Sequence, residues 1–500
     1  MCKTVIGKKS RVLAVIFAII LLTVGPGHGI AAPADVEKVS LTRGAAIEMA
    51  LRKNIDLKVE TLGSSMAGTD VARSRSIYDP IFSVSAGGGV SAVTGEPFFL
   101  TRSSTSSIGL TQNLSTGGSI GVSTQAGFTT ANAGSTGPST TDWQSSAGLT
   151  LTQPILKNAG RKTTELSITL ASNTLRDSHE RLRFIVTDTA LAVITSYNHL
   201  YALRETLESR RAALNSAQAF LNELNKKTGP LQRMDIANAE FSTAQRRKDL
   251  VDAERNVRDQ EAGLRYLIGM ESKAQLIPVD PPSRNEPQET EEQAVKAALA
   301  FRTDLKQLRL ALTTSELQEQ VARHQTLPEL TLTGSGGISG TGPNLDNSFR
   351  QLGNHPAHFW SAGMQFSVPL GNTAAKNDFR KSKIRTRQVQ TQIEALAWKI
   401  QNEVEADMRA LISARLQLQM TDRSREFAEL RLDEYRKNNR LGTATVQDVI
   451  NAENDQTTAR NAQMDATEAF SNAVAKLWRD TGVLLERLDV PVAITQPAGP

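Results

Sequence analysis

Cysteine is all but missing from this 500-residue chain: the single one is Cys2. That excludes a disulfide framework, and without a second thiol there is no C-x-x-C redox or zinc motif. Long apolar runs are scarce too. The longest is VLAVIFAIILLTV, Val12 to Val24, preceded by Lys3, Lys8, Lys9 and Arg11 and followed by GPGHGIAA. A basic start, a short apolar core and a small-residue exit describe a secretory signal peptide. With Gly29 and Ala31 at positions −3 and −1, cleavage is expected after Ala31. The competing reading, a membrane anchor, needs about 20 apolar residues, more than this run supplies.

Cleavage would remove four basic residues and no acid, taking the formal charge from +5 to +1 (5 − 4). The basic balance therefore belongs to the export signal and is no argument for nucleic acid. Cys2 would leave with the signal, so no thiol nucleophile and no lipidated N-terminal cysteine are expected. No other run reaches 18 apolar residues. A mature chain that enters a membrane has to do so as strands.

Catalytic groupings are equally thin. The six histidines are His28, His179, His199, His324, His355 and His358, and only the last two are close, in NHPAH. No cysteine or carboxylate stands beside them at ligand spacing. GSGGISGTG around Gly337 follows a strand pattern but opens no helix, so it is a loop and not a nucleotide fingerprint. No enzyme activity, cofactor or metal is expected.

What the chain does hold is a duplication. DIANAE (235 to 240) returns as DVINAE (448 to 453), an offset of 213 that also maps Gly229 on Gly442, Leu264 on Leu477 and Gly269 on Gly482. Upstream, AAIEMALRKNIDLK (45 to 58) lies over QAVKAALAFRTDLK (293 to 306) at offset 248, as does Pro80 over Pro328. Pro154 matches Pro369 at offset 215, so the first copy carries 33 more residues (248 − 215) between its two prolines. Each copy reads as a helix, a strand-rich segment between prolines and a long helical hairpin. A linker with Pro278, Pro281, Pro282 and Pro287 joins them.

Proline is absent between Pro369 and Pro491, where the only glycines are Gly371, Gly442 and Gly482. This predicts two long helices turning at Gly442, and the first copy has the same punctuation at Gly229-Pro230. Leu200, Leu203, Leu207, Leu214, Ala217, Leu221 and Leu224 follow a 3,4 spacing broken in character only by Arg210. Leu250, Ala253, Val257, Leu264 and Leu267 continue it on the return arm, a coiled-coil pattern between antiparallel helices. From Leu156 to Lys227 such a helix would reach roughly 100 Å.

The strand segments alternate. WSAGMQFSV places Trp360, Ala362, Met364, Phe366 and Val368 on one face and Ser361, Gly363, Gln365 and Ser367 on the other. GLTLTQ and ELTLTG repeat the pattern, which suits a barrel wall between lipid and water or a half-buried soluble sheet. Two hairpins supply four strands, too few to close a barrel when the smallest have about eight. Open edges do not survive in lipid, so several chains would have to share one wall. Within the longer first β region, SSIGLTQNLSTGGSIGVSTQAGF reads as a hairpin turning at Thr116-Gly117-Gly118. It is expected as an ornament on an outer loop, the alternative being two further wall strands per chain.

Two copies of helix, strand pair and long hairpin, each with a QPIL- or VPLG-like strand exit, a tip glycine and an aspartate six residues later, resemble the TolC-like family of outer-membrane export ducts. The resemblance covers essentially all of the mature chain. It implies an α+β membrane protein: a homotrimer with one shared outer-membrane β-barrel, four strands per chain or six if the extra hairpin joins the wall. A long periplasmic helical barrel would continue it, docking on a periplasmic adaptor and an inner-membrane transporter of the RND or ABC type. The chain would then divide into 1–31 signal, 32–79 helix, 80–154 β segment, 155–270 hairpin with its tip near 229, and 271–292 linker. The second copy would run as 293–327 helix, 328–370 β hairpin and 371–483 hairpin with its tip near 442, before a tail over 484–500.

In this family an acidic pair on the second hairpin rings the periplasmic aperture. Asp448 matches the first acid, whereas the second position is Asn451, so the ring would carry one carboxylate per chain. The plainer reading of Asp448 is a helix-start carboxylate facing the helix dipole. The tyrosine and arginine that help latch the closed mouth in the family's best-known member fall on Asn439 and Ala444, a departure from that pattern. Adaptors grip an apolar-Gly-Leu/Thr motif at each tip; Leu441-Gly442-Thr443 fits it and Thr228-Gly229-Pro230 does not. The implied function is a passive duct of a tripartite efflux or type I secretion system, working in the outer membrane and periplasm. A periplasmic coiled-coil adaptor or a soluble scaffold is the rival; adaptors normally carry one hairpin and an anchor, and a scaffold needs no alternating strands.

Overall fold

The structure is a computed structural model that describes residues 38–93, 99–133, 139–226 and 232–488. The expected signal peptide and Gly229 lie outside the described residues. No described helix is long and apolar enough to cross a membrane.

The duplication is three-dimensional. Helix α1 (Arg43–Lys53) stops at Asn54, whose φ of −57° and ψ of 130° interrupt the helix before α2 (Ile55–Arg75). Asn54 Oδ1 accepts the Leu57 N–H at 3.1 Å, so the break is also a cap. Helices α6 (Glu291–Phe301) and α7 (Thr303–His324) repeat it at Arg302, with φ −57° and ψ 129°. The return helices of both hairpins end in glycines of positive φ, Gly269 at +65° and Gly482 at +77°. Each lies against one of the breaks: a Cβ on Gly269 would sit 2.7 Å from the Lys53 carbonyl oxygen, and one on Gly482 3.0 Å from the Phe301 carbonyl carbon.

The first hairpin comprises α4 (Leu166–Leu224), preceded by the short α3 (Arg161–Thr164), and α5 (Gln232–Ile268). The second comprises α9 (Thr373–Arg440) and α10 (Val446–Asp480). With 59 and 68 residues, α4 and α9 reach about 90 and 100 Å at 1.5 Å per residue. Their apolar seams explain why such lengths hold together. Leu200, Leu207, Leu214, Ala217 and Leu224 are buried, and Ala253, Val257 and Leu264 of α5 are buried with them. Arg210, the odd member of the seam, pairs with Asp249 of α5 at 3.2 Å. The helices stand side by side in the order α5, α4, α10, α9 in the lower part, and α2, α4, α7, α9 nearer the strands.

Strand β1 (Lys38–Leu41) pairs in parallel with β6 (Gln275–Pro278), which forms inside the proline-marked segment. The buried Tyr197 ties both to α4: its hydroxyl donates to the Leu41 carbonyl and accepts from the Asp280 N–H, each at 2.9 Å.

All other strands form one antiparallel sheet ordered β2 (Ile81–Val93), β3 (Phe99–Asn113), β4 (Ser119–Ala133), β5 (Ser139–Pro154), β7 (Glu329–Gly342), β8 (Ala357–Ser367). This corrects the expectation for the hairpin around Thr116. It is no outer-loop ornament: β3 and β4 are full-length members of the sheet, making six strands per chain. The reason is register. Ser104 and Ser106 weaken the apolar alternation of β3, yet Leu110, Ile108, Val122 and Ile120 fall in line with the apolar residues of their neighbours. The turn closes at the helical end of the sheet, where the Thr116 carbonyl accepts the Gly160 N–H at 2.9 Å. At the opposite end a short amphipathic helix, α8 (Leu345–Asn354), lies against β7 and β5.

Candidate functional site

The residues singled out at the second hairpin tip form one compact turn. Helix α9 ends with Thr443 N–H donating to the Asn438 carbonyl (2.9 Å) and Gly442 N–H to the Asn439 carbonyl (3.1 Å). This two-bond closure requires a left-handed residue, which Gly442 supplies at φ +81°. Leu441 stands 77% exposed beside it, an apolar side chain left uncovered among the described residues. Helix α10 then starts with a reciprocal cap: Asp448 N–H donates to Thr445 Oγ1 (3.2 Å) and Thr445 N–H to Asp448 Oδ2 (2.9 Å).

The plainer role of Asp448, a helix-start carboxylate, is thus realised. Hydrogen bonds from the Thr445 hydroxyl and then from its backbone N–H hold the Asp448 carboxyl below the usual range, so it is ionised at neutral pH. Capping uses one carboxylate oxygen and leaves its charge in place. Asn451, one turn on, is exposed and accepts from Gln447 Nε2 at 3.0 Å. Asn439 and Ala444, the positions expected to stand where a latch would be, bond to each other: Asn439 Nδ2 donates to the Ala444 carbonyl at 2.9 Å. They tie the tip turn to itself.

A link between the two hairpins lies higher. Arg246 of α5, 7% exposed, stands 3.0 Å from Glu453 of α10, donates to the Ala213 carbonyl at 2.8 Å and to Asn454 Oδ1 at 3.2 Å. Arg436 of α9 holds the other Glu453 oxygen at 3.0 Å. Glu453 closes the repeated NAE motif, and its counterpart Glu240 is exposed. The repeat marked the glutamate, but no local signal in the sequence pointed to Arg246, 207 residues away (453 − 246). Beside this pair runs a cleft of about 530 Å³ between α5 and α10, lined by Arg210, Asn238, Asp249 and Gln447 among others.

A second network sits where the return arm α10 ends, midway along α4 and α9. Lys476 of α10 bonds Asp407 of α9, Arg479 pairs with Asp480 (2.6 Å) and reaches Asp188 of α4 (2.6 Å). Burial, above all, and the neighbouring Asp480 push the Asp407 carboxyl up to about 6.

Residues 294–483 match the family described as outer membrane efflux protein. The outer membrane efflux protein BepC of Brucella suis is 24% identical over 344 residues, 67% of this chain and 72% of that protein. In fold, the chain is similar to the CmeC outer membrane channel of Campylobacter jejuni (TM-score 0.65, 17% identity, 88% of this chain and 86% of that one). The MtrE outer membrane channel of Neisseria gonorrhoeae, solved in an open state, is as similar (0.64, 16%, 88% and 89%), and so is the outer membrane protein VceC of Vibrio cholerae (0.64, 15%, 88% and 96%). Family match and fold agree: over residues 294–483 the chain is similar to outer membrane efflux proteins, and its fold is that of the outer-membrane channels.

Proposed function

We propose that three copies of this chain close into one duct, the outer-membrane part of a tripartite efflux or type I secretion system. The chain is a channel component and not an enzyme. A periplasmic adaptor would join it to an inner-membrane transporter of the RND or ABC type, which does the energetic work.

The observation that carries the closed ring is that the upper helical layer and the sheet both end in edges without a partner among the described residues. Helix α2 exposes Ile55, Val59, Leu62 and Met66, each at 60% or more and spaced 4, 3 and 4, the period of a coiled-coil seam. At the other edge of that layer α9 exposes Ile384 and Trp398 at 69% and 76%. The sheet is open at β2 and at β8, so both rows of backbone groups need a partner in lipid. The two edges differ, so the contact is head-to-tail, and a head-to-tail contact that closes gives a ring.

In that ring the strands stand in the outer membrane, the helices extend into the periplasm and residues 1–31 direct export. Three Asp448 carboxylates surround the aperture and favour cations. Leu441, Gly442 and Thr443 meet the adaptor, with Gly229 at the first tip. Adaptor binding swings the second hairpins outward and relieves the constriction.

The test is the mass of the mature protein extracted in detergent from outer membranes, by light scattering with detergent subtracted. Three chain masses support the duct; a monomer released without detergent removes it.

A further inference from the structure

We infer that the wall in the outer membrane is eighteen-stranded, and that the exit is therefore as wide as the helical tunnel beneath it and passes hydrated cargo of porin-pore width. The inference rests on the three-chain reading above and adds to it the size and lining of the exit.

The extra hairpin is built as wall. One row of paired residues runs through all six strands without a bulge: Phe82, Leu110, Val122, Leu149, Gly336 and Trp360. The adjoining row on the opposite face reads Ser83, Gly109, Ser123, Gly148, Gly337 and Phe359. Toward the helical end, where Ile108, Leu110, Ile120 and Val122 stand on the outward face, β3 and β4 keep the apolar-out, small-polar-in alternation a wall between lipid and water needs; Ser106, Ser104 and Arg102 interrupt that face nearer the outer end. A loop ornament would have no reason to hold that register. Gly117, in the left-handed region at φ +91°, packs its turn against Asn158 at the helical end, so the hairpin spans the full height of the sheet.

Girth points the same way. Six strands about 4.8 Å apart and tilted by about 40° take up about 38 Å of perimeter per chain, whereas four would take about 25 Å. Four helices packed 9–10 Å apart also take up about 38 Å. With six strands, sheet and helical wall match chain by chain, and three chains give a barrel about 36 Å across between backbones. Barrels of 16 to 18 strands leave an aqueous channel.

The lining supports open passage. The inward face of the described strands consists mainly of serine, threonine and glycine, with Asp142 and Glu329 the charges on it. Phe359 lies flat on the Gly148 and Gly337 backbones, its Cζ 3.2 and 2.7 Å from where their Cβ atoms would be. Even this aromatic is folded down against the wall.

The test is electron cryo-microscopy of the full-length protein in lipid nanodiscs, beside a variant in which residues 99–133 are excised. Because β2 and β5 run in opposite directions, β2 can pair with β5 after the excision. Eighteen strands in the natural protein and twelve in the variant, with the barrel narrower by about a third, are expected. A trimer with twelve wall strands and the hairpin lying off the wall overturns the inference alone. Particles with no shared barrel, or with another copy number, overturn the three-chain reading together with it. Labelling gives a second reading in vesicles: Ser123→Cys should react with a water-soluble maleimide and Val122→Cys should not. Equal reaction of both places the hairpin outside the wall and overturns the inference.

Discussion

Arg246 reaches from the first hairpin to Glu453 of the second, Nη1 to Oε2 at 3.0 Å, with 8% and 12% of the two side chains exposed. A pair this buried stabilises little by itself, but removing one member leaves a charge in a place built for two. Glu453→Ala should therefore cost about 3–5 kcal/mol, read as a fall in the melting temperature of the helical signal. The double change Arg246→Met with Glu453→Leu should recover much of the loss. Because the pair joins the hairpins near the tip, Glu453→Ala should also raise conductance in planar bilayers. Unchanged melting and conductance in the single variant would show that the pair holds nothing.

How much of this was legible beforehand depended on range. The duplication was readable because Gly229, Gly269, Gly442 and Gly482 are punctuation, and punctuation is local. The seam from Leu200 to Leu224 was readable because its period is local too. The Arg246–Glu453 link was not, since an ion pair between distant positions leaves no pattern along the chain. The β3–β4 hairpin was seen but misplaced. Ser104, Ser106 and the Ser/Thr-rich flanks suggest a loop until register with β2 and β5 puts Leu110 and Val122 into the apolar row.

The Asp407 carboxyl, pushed up to about 6 by burial and by Asp480, sets a pH dependence. Its folded value lies above the ordinary 3.8, so its stabilising share is complete below about pH 4 and is lost as pH rises through 6. Lys476 and Arg479 face the same cluster and keep their charges across that range. Asp407→Asn keeps the shape without the titration. It should flatten the change of melting temperature between about pH 4 and pH 7, in which the natural protein loses stability. An identical slope in both proteins would assign the dependence to another group.

Two glycines of positive φ should respond differently to alanine. At Gly442, φ +81°, an added Cβ meets nothing within 4 Å, so Gly442→Ala should cost only about 1 kcal/mol of backbone strain. At Gly269 the same atom would stand 2.7 to 2.9 Å from Lys53, where the backbone cannot yield cheaply. Gly269→Ala should cost clearly more, about 2–4 kcal/mol. If Gly442→Ala weakens adaptor binding in pull-down while barely moving the melt, the tip glycine serves docking and not folding. Equal melting losses at the two sites would remove that distinction.

Asp448 offers the sharpest test of the aperture, because capping and charge can be separated. The Thr445 hydroxyl, then its N–H, hold the carboxyl low, so the capping contribution is present above pH 3.8 and is lost as pH falls through the depressed value. The charged ring should follow the same course. Cation preference, measured from the reversal potential across a salt gradient in planar bilayers, should persist from neutral pH down to about pH 5. Asp448→Asn should abolish most of that preference at neutral pH, since an amide can still accept at the cap but carries no charge. Thr445→Val should instead keep the preference at neutral pH and shift its loss to higher pH, because the carboxyl loses its hydroxyl donor. A natural protein and an Asp448→Ala variant with the same conductance and the same cation preference would return Asp448 to the role of a helix cap.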